Sequence, residues 1–195
     1  MGLDSDAEML ASFRAALAEL PAHVSSLLSM EQGRVEDAAA MYGSAAFDVV
    51  VCHGVVMYVP DPLPLVRSVA NVLRPGGVVS IIARNQHGIA VRAGNRQRWA
   101  EALAALGGDE SYVNELKVAA RADTVQGLSD TLRAAELEPL RWYGIRALSD
   151  SATLDARAPE GDELDVLLAA EELAGRTDPY RQIAPLFQLI AQRRA

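Results

Sequence analysis

FDVVVCHGVVMYVPDPLPLVRSVANVLRPGGVVSIIARN, residues 47–85, reads as strand, loop, helix, turn and strand. Phe47 to Cys52 is a short β-branched run with almost no polar interruption, the pattern of a parallel strand covered on both faces. Gly54 breaks it, and Asp61-Pro62 supplies a helix N-terminus. Leu65, Val66, Val69, Val72 and Leu73 then recur at helical spacing. Arg74-Pro75-Gly76-Gly77 ends that helix, because proline cannot continue it and glycine reverses the chain at little steric cost. Val78 to Ala83 is a second buried strand. Two parallel strands joined by a helix form a βαβ unit, and open α/β sheets bind ligands at the carboxyl ends of their strands. Those ends are Cys52-His53 and Arg84-Asn85, which makes them the first place to look for function.

Working outward towards the N-terminus, Ser5-Asp6-Ala7-Glu8 is a capping-box pattern. The helix behind it is expected to bury Met9, Leu10, Phe13, Leu17 and Leu20, with Pro21 closing it. Val24 to Met30 is a strand candidate, and Glu36-Asp37 opens a short alanine-rich helix. Beyond Asn85, residues 89–106 are mostly helical, with Trp99, Leu103 and Leu106 as expected buried positions. A helix over 124–137, a strand over 139–148, a polar loop over 149–161, an acidic helix over 164–173 and a final strand over 185–192 complete the chain.

The length of 195 residues suits one domain with a sizeable core, and no internal repeat or linker divides it. A net charge of −8 argues against a surface coated for nucleic acid. The charge is uneven, however: residues 62–100 hold no carboxylate but include Arg67, Arg74, Arg84, Arg92, Arg96 and Arg98, a local basic region able to attract an anion. The lone cysteine, Cys52, excludes an internal disulfide and suits a cytoplasmic location. No apolar run reaches the ~20 residues a membrane-spanning helix needs.

Several segments together carry a resemblance. They are residues 3–10, Glu36-Asp37, the run from Phe47 through Val59-Pro60-Asp61-Pro62, Leu73-Arg74-Pro75-Gly76-Gly77, and Asn85-Gln86-His87-Gly88. Tyr143-Gly144-Ile145-Arg146 and the segment from Glu171-Glu172 to Pro179-Tyr180-Arg181 extend it over essentially the whole chain. It resembles the class I S-adenosylmethionine-dependent methyltransferases, and more narrowly the tRNA 5-carboxymethoxyuridine methyltransferase family. The resemblance implies an α/β Rossmann-like fold, a mostly parallel sheet with helices on both faces. One methyltransferase-like domain would span 1–195, with 1–85 on the cofactor side and 86–195 on the acceptor side.

By the same resemblance the cofactor is S-adenosylmethionine. Asp4 would hold its ribose hydroxyls, Glu36 and Asp37 its adenine, and His53 would line the methyl-donor end. Arg84, Asn85, His87, Arg92, Arg96 and Arg98 would bind the acceptor, whether a carboxylate or RNA phosphates. No catalytic residue and no metal are expected. Methyl transfer from a sulfonium is helped mainly by orientation and exclusion of water, and an acceptor carboxylate is already ionised, with a pKa near ~4. The acceptor is expected to be tRNA or, alternatively, a small molecule. The family's first strand and its glycine-rich turn, Asp-x-Gly-x-Gly-x-Gly, are not found in these residues. An N-terminally incomplete methyltransferase is therefore expected, with a non-catalytic binding or partner protein as the alternative.

Overall fold

The computed structural model describes residues 1–108, 111–113, 118–150 and 157–194, with 111–113 described as backbone only. The βαβ unit forms as read. β3 (Phe47–His53) leads through a one-turn 3₁₀ helix (Val56–Tyr58) into α4 (Pro62–Val72), and β4 (Leu73–Arg84) returns parallel to β3. Asp61 caps α4, its carboxylate accepting from the Leu63 amide at 2.9 Å, with proline in the first turn. The Pro-Gly-Gly segment lies at a register shift inside the ladder: Phe47 pairs with Leu73, yet Val49 pairs with Val78. Gly76 takes φ +78° there, a conformation that L side chains resist.

Later strands complete a mixed sheet in the order β3-β4-β8-β7. β7 (Leu137–Ile145) and β8 (Leu186–Arg193) pair antiparallel, and β8 runs antiparallel to β4, so the sheet is less parallel than expected. β1 (Gly2–Asp4) and β2 (Met30–Gln32) form a separate parallel pair. α7 (Val125–Ala134), capped by Thr124, packs with α4 over one face of the larger sheet. Leu65, Val66 and Val69 of α4 and Leu128 and Leu132 of α7 meet Cys52, Val79, Ile81, Phe187 and Leu189 in one core. Truncating any of these buried leucines costs about 2–5 kcal/mol.

The opposite face of β3 departs from the sequence reading. Strand alternation sends Val49 and Val51 there, and both are exposed, at 59% and 62%. β3 is therefore covered on one face only among the described residues. An unbroken apolar run does not report this, because strand composition says what could be buried and not what arrives to bury it.

Other expectations shift as well. α1 (Ala7–Ala18) is capped by Asp6, not Ser5, because the Asp6 carboxylate takes the Glu8 and Met9 amides. That helix buries Leu10 alone, while Met9 and Leu20 are exposed and Phe13 and Leu17 only partly covered. The expected strand at 24–30 is instead a helical turn, α2 (Ala22–Ser25), followed by β2. A one-turn 3₁₀ helix (Val35–Asp37) and α3 (Ala38–Tyr42) form where Glu36-Asp37 promised a helix. The long helix after Asn85 is two, α5 (Gln86–Asn95) and α6 (Trp99–Leu106). Trp99, Leu103 and Leu106 of α6 are exposed and not buried. A short hairpin, β5 (Ser111–Val113) with β6 (Ala119–Arg121), was not legible. α8 (Asp162–Arg176) contains the expected acidic helix, and part of the expected loop, 151–156, lies outside the described residues.

Candidate active site

Asp4 closes β1 and is partly covered; its Oδ1 accepts the Asp6 amide at 2.9 Å, which fixes the carboxylate at the strand end. Glu36 and Asp37 follow β2 on the 3₁₀ turn, both exposed. Glu36 is held below the usual carboxylate range mainly by a hydrogen bond from its own backbone amide; partial burial opposes this and Arg34, at 3.4 Å, assists it. Carboxylates at the ends of neighbouring strands are suited to accept from nucleoside hydroxyls and an exocyclic amine.

His53 ends β3 on the open face of the sheet. Its Nε2 lies 2.7 Å from Ser80 Oγ on β4, and Ser80 Oγ in turn accepts from Gln188 Nε2 on β8 at 2.7 Å. Three adjacent strands thus supply a polar chain that sets the orientation of the ring, and partial burial lowers its pKa from 6.5. Among the described residues, Asp4, Glu36, Asp37 and His53 do not hydrogen-bond one another. Cys52, one residue earlier, faces the core, where burial pushes its thiol up to about 11; it is no nucleophile.

The acceptor-side residues divide. Asn85 is 2% exposed and its side chain is committed: Nδ2 donates to the Gln182 and Ala184 carbonyls at 2.9 and 2.7 Å, and Oδ1 caps α5 through the His87 amide. It positions α5, with both amide hydrogens donated to backbone carbonyls and its oxygen on the cap, where a ligand contact was expected. Gly88 lets this contact close, since a Cβ there would stand 2.3 Å from Ala184 O. Arg84 donates to Pro185 O at 3.2 Å. His87 is exposed on α5, and Arg98 lies exposed beside Glu101 at 3.5 Å.

Arg92 and Arg96 are brought together. They line a pocket, partly open to solvent, that Leu148 and Asp150 approach from the segment after β7 and Ile183 and Pro185 from the segment before β8. Asp150 is 8% exposed and pairs with both Arg92 and Arg146, each at 3.4 Å. Glu171 of α8 holds the segment that carries it, accepting from the Leu148 and Ser149 amides at 3.1 and 2.7 Å. Asp150, Ser80 and Gln188 were not singled out from sequence. Arg146 and Glu171 lay only in matched segments, where nothing short of the fold pairs them with residues 148–150.

Residues 1–81 match the family described as "Methyltransferase domain". The solved structure of an S-adenosylmethionine-dependent methyltransferase from Methanosarcina mazei superposes with a TM-score of 0.60 at 16% identity, covering 99% of this chain and 81% of that one. One from Mesorhizobium loti does so with a TM-score of 0.57 at 16% identity, covering 98% and 79%. This chain has the class I methyltransferase fold.

Methyltransferases of this fold take S-adenosylmethionine as cofactor. In sequence, a ubiquinone biosynthesis O-methyltransferase of Sodalis glossinidius is 38% identical over 86 residues, 44% of this chain and 32% of the relative. Its counterpart in Escherichia coli O127:H6 is 36% identical over 76 residues, 35% of this chain and 31% of the relative. The match thus spans about a third of the length of the curated relatives. The carboxylates of Asp4 and Glu36 fit the nucleoside end of the cofactor by their chemistry. No glycine-rich turn stands among the described residues to cradle its amino-acid end.

Proposed function

We propose that this chain belongs to an S-adenosylmethionine-dependent O-methyltransferase. The observation that carries the reading is the match of residues 1–81 to a methyltransferase domain, with acidic residues at the end of β1 and just after β2 and His53 at the end of β3. When bound, the cofactor supplies a methyl group on a sulfonium. Asp4 accepts from the ribose hydroxyls, and Glu36 or Asp37 accepts from the adenine amine. His53, its ring oriented by Ser80, lies at the methyl-donor end and helps to exclude water there. An acceptor carboxylate is ionised at neutral pH and asks for no general base.

A small-molecule acceptor is supported by the O-methyltransferase relatives, which act in ubiquinone biosynthesis by name. A second reading, a carboxylate on a modified tRNA wobble uridine, draws on the Asn85-to-Gly88 motif and the carboxylate-free arginine stretch. Calorimetric titration with S-adenosylmethionine tests the common part. Saturable one-site binding weakened at least tenfold by Asp4→Ala is expected, and absence of binding would reject it. Labelled methyl incorporation then separates the acceptors: label in total tRNA favours the second reading, and label in small acids alone the first.

A further inference from the structure

His53 and Gln188 stand in one row across the sheet. Both pair with Ile82, His53 from β3 and Gln188 from β8. Two strand spacings, roughly 10 Å, therefore separate their backbones, and among the described residues they do not bond to each other. Each leans back along β4 to Ser80, two residues before Ile82, and each reaches its Oγ at 2.7 Å. Val78, Ile82 and Ile190 share this face and are half-buried. Three polar side chains thus satisfy one another within an otherwise apolar patch.

The direction of the chain is set at its far end. Gln188 Nε2 can only donate, so Ser80 Oγ accepts from it. The hydroxyl keeps one hydrogen of its own, and His53 Nε2 is the acceptor it meets among the described residues. Accepting that hydrogen requires a lone pair on Nε2, which puts the proton of a neutral ring on Nδ1. Burial lowers the ring pKa from 6.5, so the neutral form prevails at physiological pH and its tautomer is what a ligand meets. Nδ1 has no partner among the described residues and stands at the carboxyl end of β3, where open α/β sheets take ligands. A nitrogen that carries a hydrogen offers it to an oxygen, most strongly to an ionised one.

We propose that Gln188 is a positioning residue: through Ser80 it holds His53 in the Nδ1–H tautomer, so that the ring donates a hydrogen bond to a ligand oxygen and cannot take a proton from it. An acceptor that arrives ionised, such as a carboxylate, suits this ring, whereas a hydroxyl in need of a base finds none here. The word ligand rests on the methyltransferase reading, but the tautomer is tested on the free chain.

Long-range ¹H–¹⁵N NMR of the whole chain at pH 8 reads the tautomer directly. The chain has three histidines, so the His53 signals are assigned by their loss in His53→Asn. A protonated Nδ1 and a bare Nε2 are expected, and the reverse would overturn the proposal. Gln188→Glu turns the donor into an ionised acceptor, which draws the Ser80 hydrogen away and should move the proton to Nε2. In Ser80→Ala/Gln188→Glu that reversal should vanish. A merely structural glutamine would leave the nitrogen pattern unmoved, and that outcome in Gln188→Glu would overturn the proposal. Should Gln188→Glu not fold, Gln188→Met removes the donor at similar length and should raise the Nε2–H share; a wild-type pattern there would be equally fatal.

S-adenosylmethionine added to the same sample is expected to shift the Nδ1 signal as it saturates. Calorimetric binding with both His53 nitrogens unmoved would overturn the ligand-facing role. Absence of binding would instead reject the methyltransferase reading, with the coupling of Gln188 to His53 decided by the spectra of the free chain.

Discussion

Ser80 Oγ lies 2.7 Å from His53 Nε2, one strand over, on the face of the sheet that α4 and α7 leave uncovered. The pairing fixes which nitrogen of the imidazole points along the sheet, and burial keeps the ring neutral over a wider pH range than a free histidine. Because the folded pKa is depressed below 6.5, the folded state binds fewer protons than the unfolded chain near that pH. The contribution of His53 to stability is fully present above about pH 6.5 and is lost as pH falls through the folded pKa. An NMR titration of the His53 ring should give a midpoint below 6.5. Ser80→Ala should change the tautomer signature of the ring nitrogens, and an unchanged ¹⁵N pattern would show that Ser80 does not orient it.

Cys52 should be chemically silent. With its thiol pushed up to about 11 and only 5% of its surface exposed, a negligible thiolate fraction exists at pH 8. Iodoacetamide should label it slowly in the native protein and rapidly in denaturant. Cys52→Ser places a hydroxyl among Leu65, Val69 and Ile81 and should destabilise the chain by about 1–3 kcal/mol in urea unfolding.

Two glycines of the same helix should respond in opposite directions to alanine. At Gly88 a Cβ would meet the Ala184 carbonyl carbon and oxygen and Pro185 Cα, all backbone atoms that cannot swing aside. Gly88→Ala should cost about 1–3 kcal/mol, the usual range for overpacking. At Gly94, also in α5, nothing lies within 4 Å of the added methyl group, and Gly94→Ala should raise stability by about 0.4–1 kcal/mol. Thermal midpoints moving in the same direction would contradict the packing described at Ala184.

Asn85 should matter to the fold before it matters to any ligand. Asn85→Ala removes the cap of α5 and strips the Gln182 and Ala184 carbonyls of a buried donor. A loss of about 2–3 kcal/mol is expected. Asn85→Asp keeps the cap oxygen but turns a donor into an acceptor facing two carbonyls, and should fare no better. Equal urea midpoints for wild type and either variant would refute the assignment.

The βαβ core was legible because its signals are local. Asp61-Pro62 announces a cap and Leu65 to Val72 a helical stripe, each within a few residues, while Gly76-Gly77 mark a register shift inside β4 where a turn was expected. α6 misled because Trp99, Leu103 and Leu106 form an apolar stripe for which the described residues supply no covering element. Val49 and Val51 misled for the same reason. At the site, Arg92 and Arg96 were visible as part of a carboxylate-free stretch, but Asp150 and Glu171 were not. Both act across more than twenty positions, and Glu171 uses its carboxylate on backbone amides, which leave no residue pattern to read. Asn85 was noticed for its motif and assigned to a ligand, whereas the fold spends it on itself.

The division of the strands into a two-stranded and a four-stranded sheet has a consequence for how the molecule opens. Among the described residues no ladder runs between β1-β2 and β3-β4-β8-β7; Tyr42 reaches both, its hydroxyl on Gly2 O at 3.4 Å and its ring edge-on to Phe47 at 5.5 Å between centroids. Two short strands joined to the rest by side chains and not by a shared ladder form their own cooperative unit. Hydrogen exchange should therefore be two-tiered, with β1 and β2 amides releasing their protons through brief local openings and those of β4 and β8 only when the whole sheet melts. Asp4 rides on the looser tier and His53 on the firmer one, so the two ends of the proposed cofactor site keep different clocks.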